Sequence, residues 1–247
     1  MKTIVSYSGG RDSGALVLEL LEGNHPTIKI VDEIIFSDTG SEADETYAYL
    51  PYFQQILRER YGREITILSW RNNPRTHFKT LYDYCNEPGN ERIPSRMLKW
   101  CTDKTKIQPI SEYVKAKYPG EAITMCIGFR GDEQKRVARG RNQVKGFTNA
   151  FPLADLGIVT REDVYATFDR LGINRAPHSA CWFCPFRNID WFRDYLAVEK
   201  PDQYDGLIQL ESAINRRRRE QGKSTFNLKH KPLETWRVHS EGGTDVL

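Results

Sequence analysis

The sequence predicts an α/β protein: a doubly wound, mostly parallel sheet with a helical C-terminal extension. Three observations carry the prediction. Short β-branched or aromatic runs recur through the first half of the chain, each followed by a stretch with helical patterning. Sequential strand–helix–strand units of this kind build parallel sheets with right-handed crossovers. A glycine turn, Ser8-Gly9-Gly10, joins the first run to its helix, and beyond residue 188 the pattern is helical throughout. The expected division is an α/β domain over residues 1–175, then a Cys-x-x-Cys segment with a helical, basic region over 176–247.

Thr3 to Tyr7 reads as a buried strand, and Gly14 to Glu22 as a helix with an apolar stripe. Between them stands Ser8-Gly9-Gly10-Arg11-Asp12-Ser13. Strand, glycine turn and helix together aim backbone N–H groups at an anion, and the helix N-terminus adds partial positive charge. Ser8 and Ser13 add hydroxyl donors and Arg11 a cation. Asp12 suits Mg²⁺ or a role in orienting the loop. An ordinary strand–helix turn with a serine cap is the competing reading.

Glu33 to Asp38 is a second strand, followed by Thr39-Gly40-Ser41-Glu42 and a helix over 43–61. Asp38 stands at the strand's carboxyl end, where open α/β sheets bind ligands; it reads either as a turn aspartate or as a contact to nucleotide or Mg²⁺. Glu64 to Ser69 is a third strand. Residues 71–100 are broken by Asn72-Asn73-Pro74 and by Asn86-Glu87-Pro88-Gly89-Asn90, and read as a loop-rich insertion. Cys101 to Pro109 leads into a helix ending near Lys117, and Ala122 to Gly128 is a fourth strand. Thr160-Arg161-Glu162-Asp163 is a helix start with acidic first-turn residues, and that helix runs to Leu171. Two helical stretches, 188–199 and 201–221, follow the cysteine pair. The tail from Gly242 is expected to fray.

The 247 residues are 39% hydrophobic and 28% charged, in the range of water-soluble globular proteins. No apolar run approaches the ~20 residues of a membrane span, and Met1 leads straight into the first strand. The expectation is therefore a cytoplasmic chain with no membrane partner. Net charge is only +3, but the cations are clustered. Arg216 to Arg219 is followed by Lys223, Lys229 and Lys231, and a second basic stretch runs through Lys135, Arg136 and Arg139 to Lys145. Either run reads as a nucleic-acid contact or as a solvated helix face.

Five cysteines, an odd number, argue against a disulfide framework and for metal or redox chemistry. Cys181-x-x-Cys184-Pro185 has a spacing suited to one metal centre. Alone it leaves zinc, iron–sulfur and thiol exchange open. Cys126 lies within a strand and reads as core.

Several of these strings resemble one family. Ser8 to Ser13 resembles the PP-loop of the N-type ATP pyrophosphatases, and no Walker A pattern occurs. Phe36-Ser37-Asp38-Thr39-Gly40 and Gly128-Phe129-Arg130-Gly131-Asp132-Glu133 resemble segments of the phosphoadenosine phosphosulfate (PAPS) reductase branch. The resemblance covers most of residues 1–200 and is weak over 71–100. It implies an adenine nucleotide alpha hydrolase-like fold, with ATP and Mg²⁺ at the carboxyl ends of strands one, two and four. It implies nucleotide contacts at Tyr7, Ser8, Gly9, Gly10, Arg11, Asp12, Ser13, Asp38, Thr39, Gly128, Arg130 and Arg136. Of these, Ser8, Arg11, Asp12, Ser13 and Arg130 are implied in catalysis.

Cys101 with Lys106 and Pro109, paired with Cys181 and Cys184, is similar to the iron–sulfur members of the branch. The resemblance thus implies a [4Fe-4S] cluster on Cys101, Cys181 and Cys184, with zinc as the alternative. Where adenylylsulfate reductases carry a Cys-Cys pair, this chain has Trp100-Cys101. A fourth ligand would come from Cys85 or His178, or one iron would stay open. The C-terminal Glu-Cys-Gly of the reductases is absent, since no cysteine follows Cys184. The activity expected is therefore an ATP-dependent sulfurtransferase acting on DNA (phosphorothioation) or tRNA (thiolation), supplied with sulfur by a donor such as a cysteine desulfurase. The other readings are a sulfonucleotide reductase working with a partner's thiol, a zinc-bearing PP-loop ligase, and a non-catalytic nucleotide-gated subunit that binds nucleic acid.

Overall fold

The computed structural model describes residues 1–72, 76–96, 98, 100–140 and 146–236. The tail from Gly242, residues 141–145 of the second basic stretch and residues 73–75 lie outside the described residues. In chain order the elements begin β1 (Lys2–Tyr7), α1 (Arg11–Leu21), β2 (Glu33–Asp38), α2 (Asp44–Tyr61), β3 (Ile65–Ser69) and α3 (Leu81–Cys85). A helical run follows: α4 (Trp100–Thr102), a π-helical stretch (Asp103–Ile107) and α5 (Gln108–Lys117). Next come β4 (Ile123–Ile127), α6 (Gln134–Gly140), β5 (Phe147–Ala150), α7 (Pro152–Asp155) and α8 (Arg161–Arg170). The C-terminal part holds a π-helical stretch (Trp191–Leu196), α9 (Ala197–Glu199) and α10 (Pro201–Glu220).

The chain divides into two compact units, Met1–Leu81 with Cys101–Trp182, and Tyr82–Trp100 with Phe183–Leu247. The first holds a five-stranded sheet in the order β3-β2-β1-β4-β5. Every pairing is parallel, with Val5 opposite both Ile34 and Cys126. The order reverses direction at β1, so the crossover point of the sheet lies at its carboxyl end. One face buries Val5, Tyr7 and Phe36 against Leu16 and Val17 of α1, Phe53 and Leu57 of α2, and Val164 and Phe168 of α8. The other buries Ile4, Ile35 and Met125 against Ile110 and Val114 of α5. Both faces are covered, which is why these strands read as continuous apolar runs.

Four strands lie where the β-branched runs predict them. β5 had no such signal. Its four residues, Phe-Thr-Asn-Ala, bury only Phe147 fully, and one buried side chain leaves no periodicity to read. α1 also starts earlier than its apolar stripe suggests, at Arg11, with Gly10 as a cap that makes no side-chain bond. The α8 start is as expected. Thr160 Oγ1 accepts the Asp163 N–H at 3.1 Å, and Asp163 Oδ2 accepts the Thr160 N–H at 2.8 Å. Thr160→Ala should cost about 1 kcal/mol, the usual worth of an N-cap, seen as a lower urea midpoint with an unchanged slope.

In the second unit, buried Glu211 of α10 accepts the backbone N–H groups of Leu228 and Leu233 at 2.7 and 2.8 Å. Burial raises its pKa, although the two hydrogen bonds pull the other way. This carboxylate, with Tyr204 donating to the Leu233 carbonyl at 2.6 Å, fastens the segment that follows α10. Among the described residues, no helix is long and apolar enough to cross a membrane.

Candidate functional site

The loop between β1 and α1 is the most organised polar feature of the first unit. Gly9 has φ +77°, a conformation that side-chain-bearing residues rarely adopt. A Cβ there would also sit 2.6 Å from Thr46 Cγ2, and one on Gly10 would collide with the Ser179 hydroxyl. The loop is cross-braced by its own hydroxyls. Ser13 Oγ donates to the Gly10 carbonyl at 3.0 Å and accepts the Ser8 N–H at 3.0 Å. Ser8 Oγ lies 2.9 Å from Ser13 Oγ and 3.0 Å from Ser179 Oγ. The N–H groups of Asp12 and Ser13, in the first turn of α1, have no acceptor within the helix. An anion placed there would meet N–H donors, hydroxyls and the positive end of an 11-residue helix.

Gly128, at the end of β4, stands beside this loop. A Cβ on it would come within 3.0 Å of Ser13 Cα and N, so only glycine lets the two strand ends approach this closely. Arg130, two residues on, reaches back to the loop. Its Nη1 donates to Asp12 Oδ2 at 3.0 Å, and its Nε and Nη2 grip Asp132 at 3.1 Å each. Burial opposes the charge on Arg130, but the two carboxylates outweigh it and raise its pKa. Asp12 is thereby anchored by one oxygen. The other, Oδ1, is buried and makes no hydrogen bond among the described residues. An orphaned carboxylate oxygen beside an anion nest fits a cation that arrives with a phosphate ligand.

The remaining predicted residues are placed differently. Arg11 turns away from the nest, and its Nη1 donates to Tyr165 of α8 at 3.0 Å. Tyr7 packs its ring against Phe53, with centroids 5.1 Å apart, in the core; burial raises its phenol pKa well above the usual value. Arg136 pairs with Glu133 and lies over the Phe129 ring, 4.1 Å from its centroid. Asp38 Oδ1 accepts from the Gly40 N–H at 2.8 Å and Tyr47 Oη at 2.7 Å, while Oδ2 accepts from Ser69 Oγ at 3.2 Å. It therefore organises its own turn. Burial first, then the bond to Asp38, raises the Tyr47 pKa. Thr39 is fully buried, and its Oγ1 donates to Glu42 Oε1 at 3.0 Å.

Of the cysteines, Cys181 is tied to the first unit by an isolated antiparallel bridge to Glu42, and its Sγ lies 3.5 Å from Thr39 Oγ1. Cys101 is half-buried within α4. Cys184 lies in the second unit, where its carbonyl accepts the Arg187 N–H at 3.1 Å. Among the described residues, no group of three or more His, Cys, Asp or Glu side chains is placed to hold a metal ion. Cys126 is buried within β4, and burial pushes its thiol pKa up to about 12.

Sequence reasoning missed three residues. Ser179 joins the loop network from far along the chain. Thr46 packs on Gly9, and its Oγ1 is buried without a hydrogen-bond partner among the described residues. Glu42 is buried, with Oε1 3.4 Å from Lys106 Nζ and Oε2 unpartnered among the described residues. The acidic Gly-Ser-Glu turn after Asp38 was the one local hint of Glu42.

A parallel sheet with its crossover at β1, and a hydroxyl-braced glycine turn at that point, define a PP-loop protein. The phosphoadenosine phosphosulfate reductase domain model matches residues 2–177, and the chain belongs to that family. Relatives include uncharacterized proteins MJ0973 and MJ0066 of Methanocaldococcus jannaschii, 25% and 26% identical over 73% and 61% of this chain. The nin region protein ORF290 of Escherichia phage lambda is 28% identical over 67%. The chain spans 40%, 28% and 58% of these relatives' own lengths. A solved structure, the U34-tRNA thiolase NcsA from Methanococcus maripaludis with its [4Fe-4S] cluster, is similar over 96% of this chain and 80% of that one. The identity is 15% and the TM-score 0.48.

Proposed function

We propose that this protein is an ATP-dependent sulfurtransferase whose acceptor is a nucleic acid, either a DNA backbone phosphate or a tRNA base. The observation that carries the reading is the Ser8–Ser13 nest, with its helix N-terminus, braced hydroxyls and close approach by Gly128. In the proposed reaction the acceptor oxygen attacks the α-phosphorus of ATP. The bond to the β-phosphate breaks and pyrophosphate leaves. The outer sulfur of a persulfide on a donor such as a cysteine desulfurase then displaces AMP, which carries the acceptor oxygen away, and a second thiol cleaves the S–S bond, freeing the thiolated acceptor and leaving a disulfide. The nest stabilises the charge gathering on pyrophosphate as it leaves, and fixed donors of this kind supply most in a site closed to water. Arg130 holds Asp12 by Oδ2 and leaves Oδ1 for Mg²⁺, which, when bound, would screen the charge of the phosphates.

A cavity of about 200 Å³ on the α5 face of the sheet supports a nucleoside site. It is lined by Ser6 of β1, Met125 and Ile127 of β4, Phe129, Phe147 and Asn149. Its walls are mostly apolar with a few polar groups, the usual character of a base pocket. The basic end of α10 supports a nucleic-acid partner through its exposed members. Arg217 is spent on the Gly89 carbonyl and Glu91, and Arg218 on the Ser224 carbonyl. Exposed Arg216 and Arg219 can face phosphates, and among the described residues exposed Lys223 and Lys231 are held only by the Gln221 side chain and over the Trp236 ring.

The family favours one second reading, a sulfonucleotide ligand in the same nest, reduced by a thiol from a partner. One experiment separates the two. The protein is incubated with ATP and Mg²⁺, then with PAPS and a dithiol, and pyrophosphate and sulfite are measured. Pyrophosphate from ATP, raised by DNA or tRNA, is the expected result. Sulfite from PAPS with no pyrophosphate from ATP would replace the first reading with the second.

A further inference from the structure

The segment Pro177 to Trp182 crosses the first unit as a strap fixed at both ends. At its start, the Pro177 carbonyl accepts the Arg11 N–H at 3.2 Å. That N–H belongs to the first turn of α1, and the carbonyl takes a place an anion would take. Two residues on, Ser179 Oγ lies 3.0 Å from Ser8 Oγ. With Ser13 donating to Gly10, the Ser8 hydroxyl is enclosed between Ser13 and Ser179. At its far end the strap pairs with the turn after β2. The Ala43 N–H donates to the Ala180 carbonyl at 3.1 Å, Cys181 bridges Glu42, and the Trp182 N–H donates to the Ser41 carbonyl at 3.1 Å.

Thus one six-residue strand of chain holds two of the nest's donors at one end and positions the Cys181 thiol at the other. An anion entering the nest competes for the Arg11 N–H and the Ser8 hydroxyl. Each strap contact it displaces is a contact on which the placement of Cys181 depends. We infer that the strap transmits occupancy of the Ser8–Ser13 loop to Cys181, with Ser179 as its positioning residue. This rests on the anion-binding reading of the loop. The coupling is reciprocal: whatever modifies or engages Cys181 also alters the affinity of the loop for its anion.

Hydrogen exchange on the full chain tests it, with inorganic pyrophosphate and α,β-methylene-ATP as probes. Wild type should show slowed exchange across residues 9–14. It should also show exchange at the Ala43 and Trp182 amides changed by about fivefold, the low end of usual site-to-site coupling. In Ser179→Ala the loop should still respond while the change at Ala43 and Trp182 is lost, and Ser179→Thr should restore it. A protected loop with unaltered exchange at Ala43 and Trp182 in wild type overturns the strap and leaves the anion site standing. No protection of the loop by either probe overturns the anion reading itself, and the strap with it.

Discussion

Ser13→Ala is expected to cut pyrophosphate release from ATP by about a hundredfold or more, because it removes the brace that holds the loop's donors fixed towards a developing oxyanion. Ser13 is 5% exposed, and its hydroxyl has three roles within the loop. It donates to the Gly10 carbonyl, accepts the Ser8 N–H and lies against the Ser8 hydroxyl. Alanine leaves the Ser8 N–H without that partner, at about 1–3 kcal/mol for a group stranded away from water, while the Gly10 carbonyl keeps the Gly14 N–H at 2.8 Å. Most of the loss should fall on the loop rather than the fold, because the hydrogen bonds of the Ser13 hydroxyl all stay within residues 8–13. Stopped assays of pyrophosphate beside a thermal melt check this. Unchanged release with an intact fold would remove the loop from the reaction.

Glu33→Ala should be the most destabilising single polar change, at about 3 kcal/mol, as expected when one partner of a buried charged network is deleted. Glu33 begins β2, and its carboxylate is 5% exposed. It accepts from Thr66 Oγ1 at 2.6 Å, Tyr113 Oη at 2.7 Å, Lys117 Nζ at 2.9 Å and Tyr118 Oη at 3.0 Å. Burial by itself would raise its pKa, but these four donors outweigh it and leave it below the ordinary 4.5. A carboxyl depressed in the folded state stabilises fully above its unfolded pKa and loses that contribution as pH falls through the folded value. The gap between wild type and Glu33→Ala should therefore be flat from neutral pH down to about pH 4.5 and shrink below it. Lys117, raised by its bonds to Glu33 and Tyr113, stays charged throughout that window. Urea melts at stepped pH measure the gap; one that widens on acidification contradicts the assignment.

The fold was legible wherever a run of residues carried its own signal. Ile34-Ile35-Phe36 and Ile65-Thr66-Ile67 could hardly be anything but buried strands, and Thr160 with Asp163 marks a helix start by local chemistry alone. Phe147 to Ala150 could not be read, because an edge strand with one buried residue owes its conformation to the neighbour it pairs with. The site divides in the same way. Ser8, Gly9, Gly10 and Ser13 are contiguous and announce themselves. Ser179 meets Ser8 across 171 positions and Arg11 meets Tyr165 across 154; only the folded chain brings these together. Asp12 and Arg130 could each be singled out from a local string, but their ion pair could not, since nothing in either string names the other.

The second unit has a consequence for how the chain is made. Its residues come from two stretches, Tyr82–Trp100 and Phe183 onward, separated by more than half of the first unit's helices and strands. Tyr82 meets Phe183 edge-on at 5.7 Å, Arg96 Nε reaches the Pro185 carbonyl at 3.4 Å, and Arg217 closes on Gly89 and Glu91. During synthesis the earlier stretch emerges without any of these partners. It must wait with Cys85 and Ile93, both buried in the finished protein, still exposed to solvent. Contacts so distant in sequence form late and leave sticky surface open meanwhile. A chain cut at the end of the family match, residue 177, would carry that early stretch for good. Such a fragment should aggregate, and residues 183–236 supplied on a separate chain should relieve it.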